Sequence, residues 1–352
     1  MDAYLHHTGE HAGVHNDRKL AALQRARTYP DSPERILRVE THYAWVFLSR
    51  RFAYKLKKPV RTPYLDYSTT EARYQDAHDE IRLNRRLAAG VYLDVVPLSK
   101  IANDEFRLEQ RGSVVDWLVK MRRLPTERML DHALKKGAVN RSDIEPVVEL
   151  WAKFVRDQEA ERMSGAAYCR QLVRIIVDNL GALRQAGVYS SVIRDTGRQL
   201  SRYVDLSSAL FQQRVAEGRV KELHGDLRPE HVCLTTPPVV IDCLQFSRQL
   251  RVLDALDELA FLALECGRLQ AEWVEPVFLR HYRAISNDDT PPQLIAFYKG
   301  CRALLRARLA AARLWDCEPT ERSNWLKRAE EYVALASQHA GMATSAPRPK
   351  KP

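Results

Sequence analysis

The sequence lacks the features of membrane-spanning, secreted and disulfide-stabilised proteins. Its 352 residues contain no run of about 18 consecutive apolar residues, the length that a transmembrane helix needs. The N-terminal stretch is rich in histidine and acidic residues, and no charged segment followed by an apolar one marks it as a secretory signal. The six cysteines include no CxxC pair, so a disulfide framework or a structural zinc site has little support. We therefore expect a cytoplasmic protein with reduced thiols.

The composition is that of a folded protein with one large bilobal unit or two domains. Hydrophobic residues make up 45% of the chain, which is ample for a core. The formal net charge of +10 favours anionic partners, such as a nucleotide, a phosphorylated metabolite or nucleic acid. Part of this charge lies in residues 343–352, which we predict to be a disordered basic tail. Another part lies at helical spacing from Arg302 to Arg313, and we favour a solvated helix face over a binding surface for it.

Residues 35–124 are typical of a β-rich module with one helix. Short apolar or alternating runs predict strands at residues 36–40, 44–48, 52–56, 95–101, 106–109 and 114–121. The one helix is predicted at residues 69–87, where Ser68, Thr69 and Glu71 form an N-terminal capping pattern. A single helix inserted between the third and fourth strands is the pattern of a kinase small lobe.

Residues 125–342 are predicted to be almost wholly helical. Apolar residues recur every three or four positions in residues 143–158, 166–183, 193–217, 255–269, 275–285, 292–315 and 320–338. Short β-like pieces break this pattern only within residues 220–245. Residues 1–34 are predicted to be a flexible segment followed by a short helix from Asp17. The predicted fold class is α+β, a protein kinase-like bilobal fold with a β-rich N-lobe and a mostly helical C-lobe.

The segment HGDLRPEH, from His224 to His231, offers the groups that phosphoryl transfer needs. Asp226, on a predicted tight turn, is a candidate base for an acceptor hydroxyl. Arg228 is placed to bring positive charge to the transferring phosphate. Asp242 follows an apolar run and is a candidate magnesium ligand. The alternative is an ordinary turn and a carboxylate that caps a strand end, but the spacing and the flanking β runs favour catalysis.

These residues, together with DALDELA at 254–260, resemble the aminoglycoside phosphotransferase-like branch of the protein kinase superfamily, which includes choline and homoserine kinases. DLRPE at 226–230 is also close to the DLKPE catalytic loop of protein kinases. ETH at 40–42, YKLKKPV at 54–60 and EIRLN at 80–84 resemble an uncharacterised bacterial group of that branch, of which some members carry an additional C-terminal P-loop ATPase domain. Since no GxxxxGK[ST] occurs here, we expect the kinase-like unit alone. The resemblance covers roughly residues 40–267.

The resemblance implies roles for further residues. Lys55 matches the strand lysine that binds the α- and β-phosphates, and Lys57, on the same strand face by period two, is its rival. Glu80 would pair with that lysine and fix its ammonium group. The segment between the last small-lobe strand and Pro125 would form the hinge whose backbone reads adenine. Its residues are Met121, Arg122, Arg123 and Leu124.

Three departures from the family pattern limit the transfer of function. No glycine-rich loop lies between residues 36 and 52, and Asp-Cys-Leu at 242–244 replaces Asp-Phe-Gly. The expected asparagine five residues after Asp226 is His231. An asparagine offers oxygen to magnesium, whereas a neutral imidazole offers nitrogen, which suits manganese or zinc better. His231 therefore weakens a second metal site, retunes it, or only hydrogen-bonds the loop. Asp254 and Glu258 match acidic positions that brace the catalytic loop, with helix capping or solvent exposure as the alternative.

The leading hypothesis is an ATP-dependent phosphotransferase that uses Mg²⁺, with Mn²⁺ as an alternative, to phosphorylate a hydroxyl of a small molecule. The alternatives are a nucleotide-binding pseudokinase with little or no turnover and a kinase with a protein acceptor. No long activation loop ending in Ala-Pro-Glu follows Asp242, which argues against the protein acceptor. The basic composition argues against a polycationic aminoglycoside as the acceptor. We expect neither a membrane nor a nucleic acid as partner, and the sequence does not indicate an oligomeric state.

Overall fold

The chain divides into two compact units, one built on a β-sheet and one on helices. The computed structural model describes residues 10–62, 65–101, 105–289, 291–315 and 317–345, with side chains from residue 16 onward. The sheet unit comprises residues 1–132 and 231–250, and the helical unit comprises residues 133–230 and 251–352. In the described part of the chain, no helix has both the length and the apolar character needed to cross a membrane.

Strands and helices are numbered here in chain order. The strands are β1 (Leu37–Glu40), β2 (Ala44–Leu48), β3 (Phe52–Lys57), β4 (Arg61–Thr62), β5 (Leu65–Asp66), β6 (Tyr92–Lys100), β7 (Phe106–Leu108), β8 (Ser113–Arg122), β9 (Val220–Glu222), β10 (Val232–Cys233), β11 (Val239–Val240) and β12 (Val252–Asp254). The helices are α1 (Glu10–Leu23), α2 (Thr70–Ala88), α3 (Leu130–Lys135), α4 (Arg141–Asp157), α5 (Gly165–Gln185), α6 (Ser191–Leu206), α7 (Ser208–Ala216), α8 (Ala255–Arg268), α9 (Val274–Ser286), α10 (Pro292–Ala312) and α11 (Arg322–Thr344).

Six strands of the sheet unit form one antiparallel sheet in the order β1-β2-β3-β8-β6-β7. Because side chains alternate across a strand, β3 sends Tyr54 and Leu56 to one face and Ala53 to the other. Tyr54 and Leu56 join a core that includes residues of α1, and Ala53 joins a core that includes residues of α2. The same alternation places Lys55 and Lys57 on the face that carries α2.

Helix α2 confirms the helix that the sequence predicts at residues 69–87. The Thr69 hydroxyl accepts a hydrogen bond from the Ala72 N–H at 3.1 Å, which caps the first turn. Apolar side chains at helical spacing, among them Ala77 and Ile81, are buried. Glu80 is buried beside them, so the packing of α2 carries a carboxylate to the lysines of β3.

The helical unit shows the predicted helices with one break. Residues 193–217 were expected to form one helix, but α6 ends at Leu206 and α7 begins at Ser208. The backbone of Ser207 lies outside the helical region, at φ −107° and ψ 19°. Serine favours helix ends because its hydroxyl competes for nearby backbone groups. Apolar residues recur at helical spacing on both sides of Ser207 because both helices bury an apolar face. The periodicity of the sequence therefore could not reveal the break.

A buried ion cluster fixes the start of α8. Asp254 caps the helix by accepting a hydrogen bond from the Leu256 N–H at 2.9 Å. Of the roles that the sequence left open for Asp254, helix capping is the one observed. Its carboxylate also receives Arg214 Nη2 at 2.7 Å, and the same guanidinium reaches Asp288 at 2.9 Å. All three charged side chains are buried, so the two carboxylates share the charge of one guanidinium.

The ends of the chain differ in part from the prediction. Helix α1 begins at Glu10 rather than near Asp17, and α11 continues to Thr344. Residues 1–9, the start of the predicted N-terminal segment, and residues 346–352, most of the predicted basic tail, lie outside the described residues. The predicted domain boundaries after residues 34 and 124 stay predictions.

Candidate active site

Two lysines and one glutamate form an ion cluster on the α2 face of the sheet. Lys55 Nζ lies 2.8 Å from one oxygen of Glu80, and Lys57 Nζ lies 2.6 Å from the other. Burial favours the neutral form of Glu80, but the two ammonium groups outweigh it and hold its pKa below the ordinary value. The pair expected between Glu80 and a strand lysine is thus present with both candidates.

The surroundings of the two lysines differ. Lys55 Nζ also contacts Asp242 Oδ1 at 2.8 Å, whereas Lys57 pairs with Asp76 and lies 5.3 Å from the centre of the Tyr67 ring. The side chain of Lys57 is 2% exposed and that of Lys55 is 14% exposed. Burial disfavours the charge of Lys55, yet its two carboxylate partners raise its pKa well above the ordinary value. Lys55 is therefore the lysine that reaches the candidate metal ligand.

The hairpin of β10 and β11 places Asp242 next to His231. The two residues flank the hairpin, and the Ile241 N–H donates to the His231 carbonyl at 2.9 Å. His231 Nε2 lies 3.6 Å from Asp242 Oδ2, and the imidazole is buried. Asp242 has a left-handed backbone with φ +63°, a conformation that is uncommon for non-glycine residues and that aspartate tolerates better than most.

Two residues that the sequence did not single out hold this segment in place. The Asp242 N–H donates to the Tyr92 hydroxyl at 3.1 Å, and the Cys243 N–H donates to Asn84 Oδ1 at 2.9 Å. Asn84 lies one helical turn after Glu80 on α2. The same helix thus positions both the strand lysines and the loop that carries Asp242. Asn84 belongs to the EIRLN segment, but its partner is about 160 positions away in the sequence, so no local pattern indicated the contact.

The predicted hinge segment follows the sheet closely. Met121 pairs with Ala53 and Tyr92 in the neighbouring strands. The Arg122 N–H donates to the Val91 carbonyl at 2.8 Å, and the Arg123 N–H donates to the Arg51 carbonyl at 2.9 Å. Leu124 packs against the apolar core below α2. Since the N–H groups of Arg122 and Arg123 are bonded within the sheet unit, adenine contacts would have to come from other backbone groups of this segment.

In the helical unit, the turn that carries Asp226 is fixed from two sides. Gly225 has φ +89°, a conformation that favours glycine. Glu258 of α8 accepts the N–H groups of His224, at 3.2 Å, and of Gly225, so it has the bracing role. From α10, Arg302 Nη1 donates to the Gly225 carbonyl at 3.4 Å. Burial raises the pKa of Glu258 from 4.5 to about 8, although Arg302 and the two N–H groups oppose this rise.

Asp226 and Arg228 form a bidentate ion pair on this turn. Arg228 Nε and Nη2 lie 2.9 and 2.8 Å from the two oxygens of Asp226, and Nη1 contacts Glu230. Burial opposes the charge of Arg228, but Asp226 and Glu230 raise its pKa. The candidate base is therefore already paired with the candidate phosphate-binding cation.

The interpretation of the α10 arginines as a solvated helix face is wrong for Arg302 and Arg306. Arg302 is 8% exposed and binds Asp257 of α8, with Nε and Nη2 at 2.7 and 3.0 Å from its oxygens. Arg306 Nε lies 3.0 Å from Glu265 of the same helix. The sequence of α8 contains a signal of this pairing, because acidic residues within an otherwise apolar, buried helix need cationic partners. These arginines therefore neutralise buried carboxylates.

The donor set around Asp242 fits a metal ion that is shared with a ligand. Across the described residues, no group of three or more His, Cys, Asp or Glu side chains is placed to hold a metal ion. Asp242 and His231 together offer one carboxylate and one imidazole within 3.6 Å. Phosphate oxygens and water commonly complete the shell of a metal ion that one or two carboxylates hold in phosphotransferases.

Comparison with solved structures shows the fold. The chain superposes on an aminoglycoside 2″-phosphotransferase in complex with GDP and kanamycin with a TM-score of 0.50, at 13% identity, covering 87% of this chain and 94% of that one. It superposes on a choline kinase from Cryptosporidium parvum with a TM-score of 0.51, at 7% identity, covering 94% and 96%. The fold is that of the aminoglycoside phosphotransferases and choline kinases. The predicted α+β, protein kinase-like fold class is thereby confirmed.

Comparison of sequences shows homologues of unknown activity. No protein-family profile matches the chain. Uncharacterized proteins of Mycobacterium tuberculosis and Mycobacterium bovis are 30% identical over 310 residues, which make up 87% of this chain and 60% of each relative. The chain thus spans about three fifths of the length of these curated relatives. Together with the fold, this distant homology confirms the resemblance stated from the motifs.

Proposed function

We propose that the protein is an ATP-dependent phosphotransferase that transfers the γ-phosphate to a hydroxyl group of a small molecule. The observation that carries the proposal is the cluster in which Lys55 contacts both Glu80 and Asp242 at 2.8 Å. A strand lysine held by a helix glutamate, next to a carboxylate that follows a short hairpin, is the arrangement with which kinase-like folds bind nucleotide phosphates.

Lys55 would exchange its contact with Asp242 for the α- and β-phosphates of the nucleotide, while Glu80 keeps the ammonium in position. Lys57 stays with Glu80 and Asp76 and supports that glutamate. A Mg²⁺ or Mn²⁺ ion held by Asp242 and His231 would neutralise negative charge on the phosphates. The segment from Met121 to Leu124 is the proposed adenine-binding segment.

Asp226 is the proposed base. Its carboxylate would accept a hydrogen bond from the acceptor hydroxyl and take the proton as the hydroxyl becomes acidic late in the transfer. For this, Arg228 has to release at least one oxygen of Asp226, and the freed guanidinium can then donate to the transferring phosphate. Glu258 holds the turn through two backbone N–H groups, so Asp226 is presented on a fixed backbone.

The test is nucleotide binding together with nucleotide consumption by the purified protein. ATP and GTP are compared, because GDP is the nucleotide in the aminoglycoside phosphotransferase structure. Each is assayed with Mg²⁺ and Mn²⁺ against a metabolite library. Asp226→Ala and Asp242→Ala should each abolish turnover while circular dichroism shows an intact fold. If both variants keep wild-type turnover, the proposal is wrong.

A nucleotide-binding protein with little or no turnover is the second candidate. The bidentate pair between Asp226 and Arg228 favours it, because a base that is held by a guanidinium is not free to receive a proton. Binding of nucleotide and metal without turnover on any acceptor would support this candidate. A kinase with a protein acceptor would instead show turnover with a protein extract but not with the metabolite library.

A further inference from the structure

His231 and Asp242 are held together by the hairpin rather than by a chance contact of side chains. Val232 pairs with Val240 in the antiparallel register of β10 and β11, and the Ile241 N–H donates to the His231 carbonyl at 2.9 Å. The imidazole is 6% exposed. The hairpin register and this burial keep the ring next to the carboxylate.

The two oxygens of Asp242 face different groups. Oδ1 lies 2.8 Å from Lys55 Nζ, and Oδ2 lies 3.6 Å from His231 Nε2. Two ligands that each lie about 2.1 Å from one ion are separated by roughly 3.0–3.4 Å in octahedral or tetrahedral geometry. The observed 3.6 Å is within a few tenths of an ångström of that separation. An ion at Oδ2 is thus within reach of Nε2 after a small movement of the ring.

We propose that His231 is a nitrogen ligand of the metal ion that accompanies the nucleotide, and that it makes the site select transition-metal ions over Mg²⁺. The proposal rests on the phosphotransferase function proposed above. Magnesium prefers oxygen ligands and gives up its bound water reluctantly, so an imidazole adds little to its binding. Affinity for nitrogen rises from Mn²⁺ through Co²⁺ in the first transition series. The site is therefore expected to bind Co²⁺ most tightly, Mn²⁺ less tightly and Mg²⁺ least tightly.

Electron spin-echo envelope modulation of Mn²⁺, bound with a non-hydrolysable ATP analogue to the wild-type protein, tests the ligand directly. The expected spectrum shows ¹⁴N modulation from a coordinated imidazole, and His231→Asn should remove it because asparagine binds through oxygen. His78→Asn is the matched control, since His78 is an exposed imidazole of α2 that packs on Tyr74. A wild-type spectrum without imidazole nitrogen overturns the proposal, and this measurement needs no variant to fold.

Calorimetric titration of the same complex with Mg²⁺, Mn²⁺ and Co²⁺ tests the selectivity. The ratio of Mn²⁺ to Mg²⁺ affinity should be at least about tenfold higher for the wild type and His78→Asn than for His231→Asn. Equal ratios, with nucleotide still bound, overturn the metal proposal alone and leave His231 as a positioning residue for Asp242. If a fluorescent nucleotide does not bind with any of the three ions, the phosphotransferase function fails and the metal proposal fails with it.

Discussion

Arg302 of α10 binds Asp257 of α8 through two hydrogen bonds, with Nε at 2.7 Å and Nη2 at 3.0 Å from the carboxylate oxygens. The third nitrogen of the same guanidinium donates to the Gly225 carbonyl at 3.4 Å. The guanidinium carbon also lies 4.9 Å from the centre of the Phe261 ring. One side chain thus joins two helices to the turn that carries the candidate base.

Replacing Arg302 by methionine should destabilise the protein by about 3–5 kcal/mol, because it leaves a buried carboxylate without its cation. Arg198→Met is the control. Arg198 is 70% exposed and pairs with Asp195 at 3.2 Å, and exposed pairs of this kind contribute about 1 kcal/mol or less. Urea unfolding of both variants measures the difference. Equal losses would show that the Arg302 pair contributes no more than a surface pair.

Lys55→Met and Lys57→Met should separate binding of phosphate from stability. Lys55→Met should lower turnover by about 100-fold or more, since it removes the cation proposed to stabilise phosphate charge. Lys57→Met should lower the free energy of unfolding by about 3–5 kcal/mol, because Lys57 is more deeply buried than Lys55 and pairs with both Glu80 and Asp76. Turnover and urea unfolding are measured for both. If Lys57→Met instead loses turnover and keeps its stability, Lys57 is the phosphate-binding lysine and Lys55 has the stabilising role.

Glu258 should make stability fall as pH rises from about 5 to 8. Its pKa is raised from 4.5 to about 8, chiefly by burial. Between these two pKa values, the Glu258 carboxyl group holds its proton in the native protein but has released it in the unfolded chain. The stabilisation is therefore complete below pH 4.5 and is lost as the pH rises through about 8. One pKa unit corresponds to about 1.4 kcal/mol.

The variant Glu258→Gln cannot titrate and should flatten that dependence in urea unfolding at a series of pH values. Glu272→Gln changes an exposed glutamate and serves as the control. Identical pH slopes for the wild type and Glu258→Gln would mean that Glu258 is already ionised in the folded protein at neutral pH.

Expression of the gene in a susceptible bacterium should not protect it against kanamycin-type aminoglycosides. These drugs are polycations, and the chain carries a net charge of +10. Arg302 and Arg306 of α10 add nothing to this expectation, because their charges are paired with carboxylates. The minimal inhibitory concentration should stay within about twofold of the empty-vector control. A large increase that Asp226→Ala abolishes would establish an aminoglycoside as an acceptor.

The sequence predicted the elements whose patterns are local. Residues 44–48 coincide with β2, and residues 52–56 fall within β3, because a strand with a buried face repeats every two residues. Helix α2 was equally clear, since its cap at Thr69 and its apolar spacing agree. The roles assigned to Asp226, Asp242 and the other site residues stay predictions.

Contacts between distant parts of the chain could not be predicted. The period of β3 placed Lys55 and Lys57 on one face, but their difference in burial depends on Asp76, Tyr67 and Asp242. Likewise, the helical period of α10 showed where its arginines point but not what covers them. Arg302 and Asp257 are 45 positions apart, and a charge pattern carries no information about such a partner.

The left-handed backbone of Asp242 restricts which substitutions evolution can accept at this position. Glycine adopts φ +63° without strain, asparagine and aspartate tolerate it, and other residues are disfavoured by about 1–2 kcal/mol. Of the three tolerated residues, only aspartate carries a charge. A lineage that loses the carboxylate can therefore keep the hairpin with asparagine or glycine, and such descendants would be folded proteins without the negative charge of the candidate metal ligand.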